Sequence, residues 1–261
     1  MHNFEFVKPS SIAEAVAALA NADAQPLSGG QTLLPTMKQR LAQPSVLVSL
    51  TGIPELQGVC VGDVGLHVGA ATPHAVVARE AAAHYPALAK LAGGIGDPAV
   101  RNRGTLGGSL ANNDPAACYP AAVLASGAQV VTNLRVIAAD DYFQGMFATA
   151  LAEGEIITEV RFPIPQRAAY VKFDQPASRF SLTAVFVAKF ADGVRVAVTG
   201  ASNGGVFRWT AAEAALSAAF TPEAIAGLTV AADDMISDLH GTAAYRANLV
   251  KVLTGRAVAA A

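Results

Sequence analysis

The stretch from Ala92 to Ala116 restricts this chain more than any other. It places Gly93, Gly94, Gly96, Gly104, Gly107 and Gly108 in one non-repetitive segment, together with Arg101, Arg103, Thr105 and Ser109. Glycine lets a backbone approach a ligand closely and adopt positive φ. Successive N–H groups in such a loop form concavities that bind anions. A segment rich in both glycine and hydroxyls is suited to wrapping a phosphate-bearing ligand. A second glycine loop stands upstream, Leu27-Ser-Gly-Gly-Gln-Thr-Leu-Leu-Pro35, followed by a helix-compatible run containing Met37, Lys38 and Arg40. A glycine turn that opens a helix offers N–H donors and the helix dipole to a diphosphate. Neither loop fits G-x-G-x-x-G with an acidic residue about 20 positions on, and neither contains G-x-x-x-x-G-K-[ST].

Ser28-Gly-Gly-Gln-Thr-Leu-Leu-Pro35 resembles the first flavin motif of the FAD-binding medium subunits of molybdenum hydroxylases, the family of carbon monoxide, xanthine and aldehyde dehydrogenases. Ile95-Gly-Asp-Pro-Ala-Val-Arg-Asn-Arg-Gly-Thr-Leu-Gly-Gly-Ser109 resembles the second. The resemblance runs from Phe4 to the segment after Tyr245, nearly the whole chain. It implies an α+β protein: a two-part α/β FAD-binding domain of the PCMH type, then a C-terminal domain of antiparallel sheet plus helices.

The residues themselves give a compatible outline. Ser11 and Glu14 have capping-box spacing ahead of Ile12, Val16 and Leu19 on one helical face. Val46 to Leu50, Leu66 to Ala70 and Ala128 to Thr132 read as strands. Pro86 to Ala92 and Tyr119 to Ser126 read as helices entering and leaving the glycine segment. Alternating strands and short helices indicate α/β organisation through about residue 165. Phe162-Pro-Ile-Pro165 marks the boundary, giving domains 1–165 (sub-parts about 1–55 and 56–165) and 166–261. Beyond it, Ala169 to Phe173, Ser181 to Phe190 and Val194 to Thr199 read as strands, with an Asp192-Gly193 hairpin turn. Helices are expected over Thr210 to Phe220, from Thr221-Pro222-Glu223 and over Gly241 to Thr254, with Tyr245, Leu249 and Val252 sharing a face.

Composition excludes several classes. The chain is 261 residues long, 52% hydrophobic and 15% charged, with a net charge of −2 and no basic block. That favours a compact globular protein over a disordered one and argues against nucleic-acid binding. Two cysteines, Cys60 and Cys118, are too few for an iron–sulfur cluster, which takes about four thiolates. Both read as buried free thiols. His2, His67, His74, His84 and His240 show no metal-ligand spacing, so no metal is expected. No signal peptide is visible, and no run approaches about 18 apolar residues. A cytoplasmic location is the expectation.

The family resemblance assigns roles by position. Ser28, Gly29, Gly30, Gln31, Thr32 and Leu33 would hold the diphosphate and nearby ribose of FAD. Thr105, Gly107, Gly108 and Ser109 would form the second contact. Ile95 and Ile157 match apolar positions lining the flavin, and Lys172 matches a lysine at the cofactor. Without the family, Lys172 reads equally as a solvated strand lysine. Phe180 stands where several relatives place a tyrosine over the isoalloxazine; its other reading is a core phenylalanine. Cys118 stands where many relatives carry an aspartate that contacts the cofactor. A thiol is a weak donor and poor acceptor, so Asp114, Asn112 or Asn113 would take over polar duty. The FAD should be non-covalent.

The resemblance further implies an electron-transfer subunit. A large partner would carry the molybdopterin and a small partner the 2Fe–2S clusters, paired as a dimer of heterotrimers. The acceptor stays open among quinone, NAD, ferredoxin and oxygen, and so does the substrate. Two other classes are a self-contained FAD oxidoreductase with its own substrate site in the C-terminal domain, and a flavin-binding assembly factor.

Overall fold

The computed structural model describes residues 1–21 and 23–261. The first elements are β1 (Glu5–Val7), α1 (Ile12–Leu19), β2 (Ala24–Leu27), α2 (Leu33–Lys38) and β3 (Val46–Ser49). β3 lies between β1 and β2 and runs parallel to both. Ser11 caps α1, its Oγ accepting from Glu14 N–H at 3.2 Å. The Glu14 carboxylate reaches Ser10 N–H and Oγ at 2.8 and 2.9 Å. The capping box is therefore displaced by one residue from the form in which the acid reaches the cap's own N–H.

A second layer follows. Its strands are β4 (Val59–Val61), β5 (Leu66–Gly69), β6 (Gln129–Thr132), β7 (Val136–Ala138) and, after a small hairpin, β10 (Ile157–Phe162). The hairpin is β8 (Phe143–Gly145) and β9 (Ala148–Thr149). The antiparallel sheet is ordered β4-β5-β10-β6-β7. Between β5 and β6 the chain forms α3 (His74–Glu80), α4 (Pro86–Gly93), α5 (Pro98–Arg101), α6 (Leu106–Asn112) and α7 (Tyr119–Ser126); α8 (Ala139–Tyr142) follows β7. All eight residues of α7 are buried. That helix has no polar face because protein covers it on every side.

The last sheet is antiparallel: β11 (Arg167–Asp174), β12 (Ser181–Lys189), β13 (Val194–Ser202) and β14 (Gly205–Arg208). It is followed by α9 (Thr210–Ala218) and α10 (Ala243–Ala260). β12 is buried from Ser181 through Ala188, so both its faces are covered. Ala184, Phe186 and Ala188 join the core built on α4 and α7, while Leu182, Val185 and Val187 join the core under α9 and α10. The apolar run over 181–190 reflects this double burial rather than the alternation of a solvated sheet.

Three expectations need correction. Cys60 is exposed, because edge strand β4 turns it away from the core. The segment after Thr221 forms only a single 3₁₀ turn, Pro222–Ile225. The buried stripe of α10 comprises Arg246, Ala247, Leu249, Val250, Leu253, Thr254, Ala257 and Val258, whereas Tyr245 and Val252 are exposed. Arg246 explains the rotation. Its guanidinium donates to Leu182 O and Gly200 O at 2.6 and 2.8 Å and pairs with Asp238 at 2.7 Å. Those bonds turn the arginine-bearing face onto the sheet. The helix also starts later and runs further than Gly241 to Thr254, with Thr242 Oγ1 accepting from Tyr245 N–H at its start.

Candidate cofactor site: a cleft between two glycine loops

The two glycine loops, far apart in sequence, meet in space. Ser28 Oγ lies 2.8 Å from Thr105 Oγ1. A Cβ on Gly29 would sit 2.2 Å from Arg103 O and 2.6 Å from Gly104 Cα, so this glycine is dictated by backbone packed on backbone. Gly107 is crowded in the same way by Ala70, 2.6 Å from its would-be Cβ. The segment carrying Gly104 and Thr105 is held from behind. His74 N–H donates to Gly104 O at 2.9 Å, and Gly107 N–H donates to Ala70 O at 2.8 Å. Thr105 caps α6.

The loops border a cleft of about 920 Å³. Ser28, Gly29, Gly30, Gln31, Thr32, Leu33, Ile95, Thr105, Gly107, Gly108, Ser109, Asp114, Cys118, Ile157 and Phe180 all line it. Lys172 does not. Its Nζ donates to Gly94 O at 2.7 Å and Arg179 O at 3.0 Å, and pairs with Asp174 at 2.7 Å. The structure thus places this lysine behind the wall, and it is not a solvated strand lysine either, since its side chain is 8% exposed.

The first loop has the donors an anion needs. Among the described residues, the backbone N–H groups of Gly29, Gly30, Gln31, Thr32 and Leu33 donate to no protein acceptor. Gly30 has φ +68, the left-handed conformation that glycine adopts without strain. In the second loop Gly108 is open: apart from Thr105 Oγ1 at 3.0 Å, its would-be Cβ meets nothing nearer than Ser28 Cβ at 3.9 Å. A side chain there would enter the cleft. An N–H-lined concavity with an open glycine opposite fits a diphosphate-bearing dinucleotide.

The last sheet shapes a further part of the lining, which mixes polar and apolar side chains. Thr199 Oγ1 donates to Pro115 O and Ala117 O at 2.9 and 2.7 Å, which fixes the loop before Cys118. Asn113 takes φ +43, and its amide donates to Gly145 O and Ala148 O, both at 2.8 Å. Its side chain is thereby committed to structure. Asp114 Oδ1 accepts from Ala116 N–H at 2.8 Å. The Cys118 thiol is buried 3.5 Å from Ser181 Oγ, which in turn lies 3.4 Å from Tyr170 OH. Burial, then the neighbouring Cys118, pushes the Tyr170 phenol well above its usual range. Phe180 is 53% exposed at the mouth, which excludes the core reading of its ring.

Two lining residues had no sequence motif to reveal them. His74 follows β5 at the start of α3 and is 5% exposed. Burial, then the charge of Arg101, lowers it to about 4, so it is neutral at ordinary pH. Glu155 has a fully buried side chain. Burial alone would raise its pKa, but bonds from Arg135, Ala152 N–H and Thr132, with the Arg135 charge, hold it down to about 2. It braces the turn leading into Ile156 and Ile157.

Fold and cleft define a class of protein in which two glycine loops meet across a cleft suited to a diphosphate-bearing ligand. Residues 2–165 match the model of the FAD binding domain in molybdopterin dehydrogenase. The nicotine 6-hydroxylase medium subunit of Paenarthrobacter nicotinovorans is 38% identical, over 97% of this chain and 95% of that one. The carbon monoxide dehydrogenase medium chain of Afipia carboxidovorans is 33% identical, over 98% and 96%. A chain of carbon monoxide dehydrogenase from Hydrogenophaga pseudoflava superposes with a TM-score of 0.89 at 36% identity, covering 100% of this chain and 97% of that one. The chain belongs to the FAD-binding medium-subunit family of molybdopterin hydroxylases. Its architecture is the PCMH-type α/β domain followed by a C-terminal sheet-and-helix domain.

Proposed function

We propose that this chain carries one non-covalent FAD and passes electrons from the 2Fe–2S clusters of a small partner subunit to an external acceptor. A large molybdopterin subunit would oxidise the organic substrate, in a cytoplasmic dimer of heterotrimers. The observation that carries the reading is the run of unpartnered N–H groups from Gly29 to Leu33 beside the open Gly108. Bound there, FAD would supply two-electron storage with one-electron exchange.

The protein's part is binding and positioning. Gly29 to Leu33 neutralise the diphosphate through backbone N–H groups. Thr105 and Ser28, bonded to each other, keep the loops in register. Ile95 and Ile157 exclude water from the ring end, and Phe180 covers one face. We take residues 1–165 as the FAD domain and 166–261 as the second domain. The self-contained oxidoreductase needs a second, reactive pocket. Another cavity, about 590 Å³ beside Arg195, Arg208 and Glu213, has the Asp192 carboxylate in its lining but no unpaired base to act with it. Arg195 is bonded to Asp140 at 2.7 Å and Arg208 to Glu213 at 2.6 Å.

The test is reconstitution. The purified chain should hold FAD and show no bleaching with carbon monoxide, aldehydes, purines or N-heterocycles. Bleaching should appear when the molybdopterin and cluster subunits are added. Rapid bleaching of this chain alone would favour the self-contained oxidoreductase; flavin binding without bleaching in the full mixture would favour the assembly factor.

A further inference from the structure

We propose that Lys172 is a positioning residue that clamps the Phe180 loop to the second glycine segment and so sets how far the aromatic ring covers the flavin. The inference rests on the reading of the cleft as an FAD site. It departs from the role of cofactor ligand that resemblance alone implies for this lysine.

The loop over 175–180 is a small closed body. Gln175 N–H donates to Phe180 O at 2.9 Å and Arg179 N–H to Gln175 O at 2.8 Å. Gln175 Oε1 accepts from Ala177 N–H and Ser178 N–H at 2.7 and 2.8 Å. Those bonds shape the loop, and the β11–β12 ladder that it closes fixes its two ends but not its lean toward the cleft. Its side-chain ties outward, among the described residues, are Gln175 Nε2 to His240 Nδ1 at 3.3 Å and the lysine. His240 lies on the second domain's own side. Of these two ties only Lys172 reaches the glycine segment, because the same Nζ that holds Arg179 O also holds Gly94 O, immediately before cleft-lining Ile95.

The geometry at Arg179 supports a built tether. This residue has φ +61, a left-handed conformation that costs a non-glycine residue about 1 kcal/mol or more. Its carbonyl faces the lysine, and the next residue is Phe180. Asp174, on the same strand, completes the ammonium's set of partners at 2.7 Å. Three partners satisfy the three donors of an ammonium, which leaves none for a cofactor oxygen. Charge-assisted bonds of this kind are roughly twice as strong as neutral ones.

The test uses the full-length chain with Lys172→Met, Lys172→Gln, Lys172→Arg, Phe180→Ala and the double variant Lys172→Met/Phe180→Ala. Amide exchange over 175–180, followed in the cofactor-free chain, should quicken by about tenfold or more in Lys172→Met and stay near wild type in Lys172→Arg. Lys172→Gln repeats the comparison so that a folding defect in one variant does not decide it. In the FAD-loaded chain, dithionite-reduced flavin should be reoxidised by dioxygen as fast in Lys172→Met as in Phe180→Ala, and no faster in the double variant. Unchanged exchange overturns the clamp. So does multiplication of the two effects in the double variant, or release of FAD by Lys172→Met when Phe180→Ala retains it. A wild-type chain that takes up no FAD overturns the function proposed above; the exchange measurement then still decides the clamp by itself.

Discussion

The two walls of the cleft are built from different material. The glycine wall is backbone: Gly29 lies against Gly104, Gly107 against Ala70, and would-be Cβ distances of 2.2 to 2.6 Å leave no room for side chains. The facing wall is side chains: Ile157, Cys118, buried Glu155 and exposed Phe180 on a loop held by Lys172 and by the Gln175–His240 contact. A backbone wall recognises what every dinucleotide shares and tolerates almost no substitution. A side-chain wall can vary in polarity and coverage while the fold stays the same. The difference teaches where binding and where reactivity reside.

The comparison is broken most severely at Gly29. Gly29→Val forces the two glycine loops apart, with a cost of about 1–3 kcal/mol or more. Both the melting temperature of the cofactor-free chain and its flavin content after gel filtration should fall. Gly108→Val sharpens the point. Its Cβ meets only Thr105 Oγ1, at 3.0 Å, before the side chain enters the cleft, so the cofactor-free chain should melt much closer to wild type than Gly29→Val does while flavin binding is lost. Full flavin absorbance in Gly108→Val would detach the second loop from cofactor binding.

On the side-chain wall, Glu155 gives a pH signature. Its pKa drops from 4.5 to about 2 on folding. The unfolded chain therefore binds the extra proton between those values, and the stability contributed above pH 4.5 is lost as pH falls toward 2. Glu155→Gln should flatten that acid limb of stability, measured by denaturant titration from pH 5 to 2. A limb of unchanged slope would remove Glu155 from the bracing role. The smallest effect on folding is expected for Phe180→Ala, whose exposed ring contributes little to the core. Its melting temperature should match wild type while the flavin's potential and reoxidation rate change. Equal potentials and rates would detach the ring from the flavin.

Legibility in the sequence follows the same division. The backbone wall was readable, because glycine at fixed spacing reports a steric demand directly. Helices α4 and α7 and the β12–β13 hairpin were readable from local pattern and turn chemistry. The sequence did not show that Gly29 answers to Arg103 and Gly104 as well as to a ligand. Lys172 read as a cofactor contact or a solvated lysine, since its partners lie at Gly94 and Arg179 and only the folded sheet brings them together. His74 and Glu155 belong to no motif; their importance comes from burial and a remote arginine. The buried face of α10 is hidden in the sequence because apolar Tyr245 and Val252 outweigh Arg246 in any hydrophobic pattern, although the arginine is the residue the sheet carbonyls hold.

The doubly buried strand β12 bears on how this protein can be divided. Phe186 faces Tyr85 and Tyr170, with ring centroids 6.0 and 6.2 Å away, so the second sheet supplies part of the floor under α4 and α7. Cutting at residue 165 would strip that floor and bare a broad greasy surface on the N-terminal piece, a recipe for precipitation rather than for a free-standing module. Swapping C-terminal halves between relatives would meet the same obstacle: the seam must be recut through the side chains of α7 and β12 together, as one shared joint.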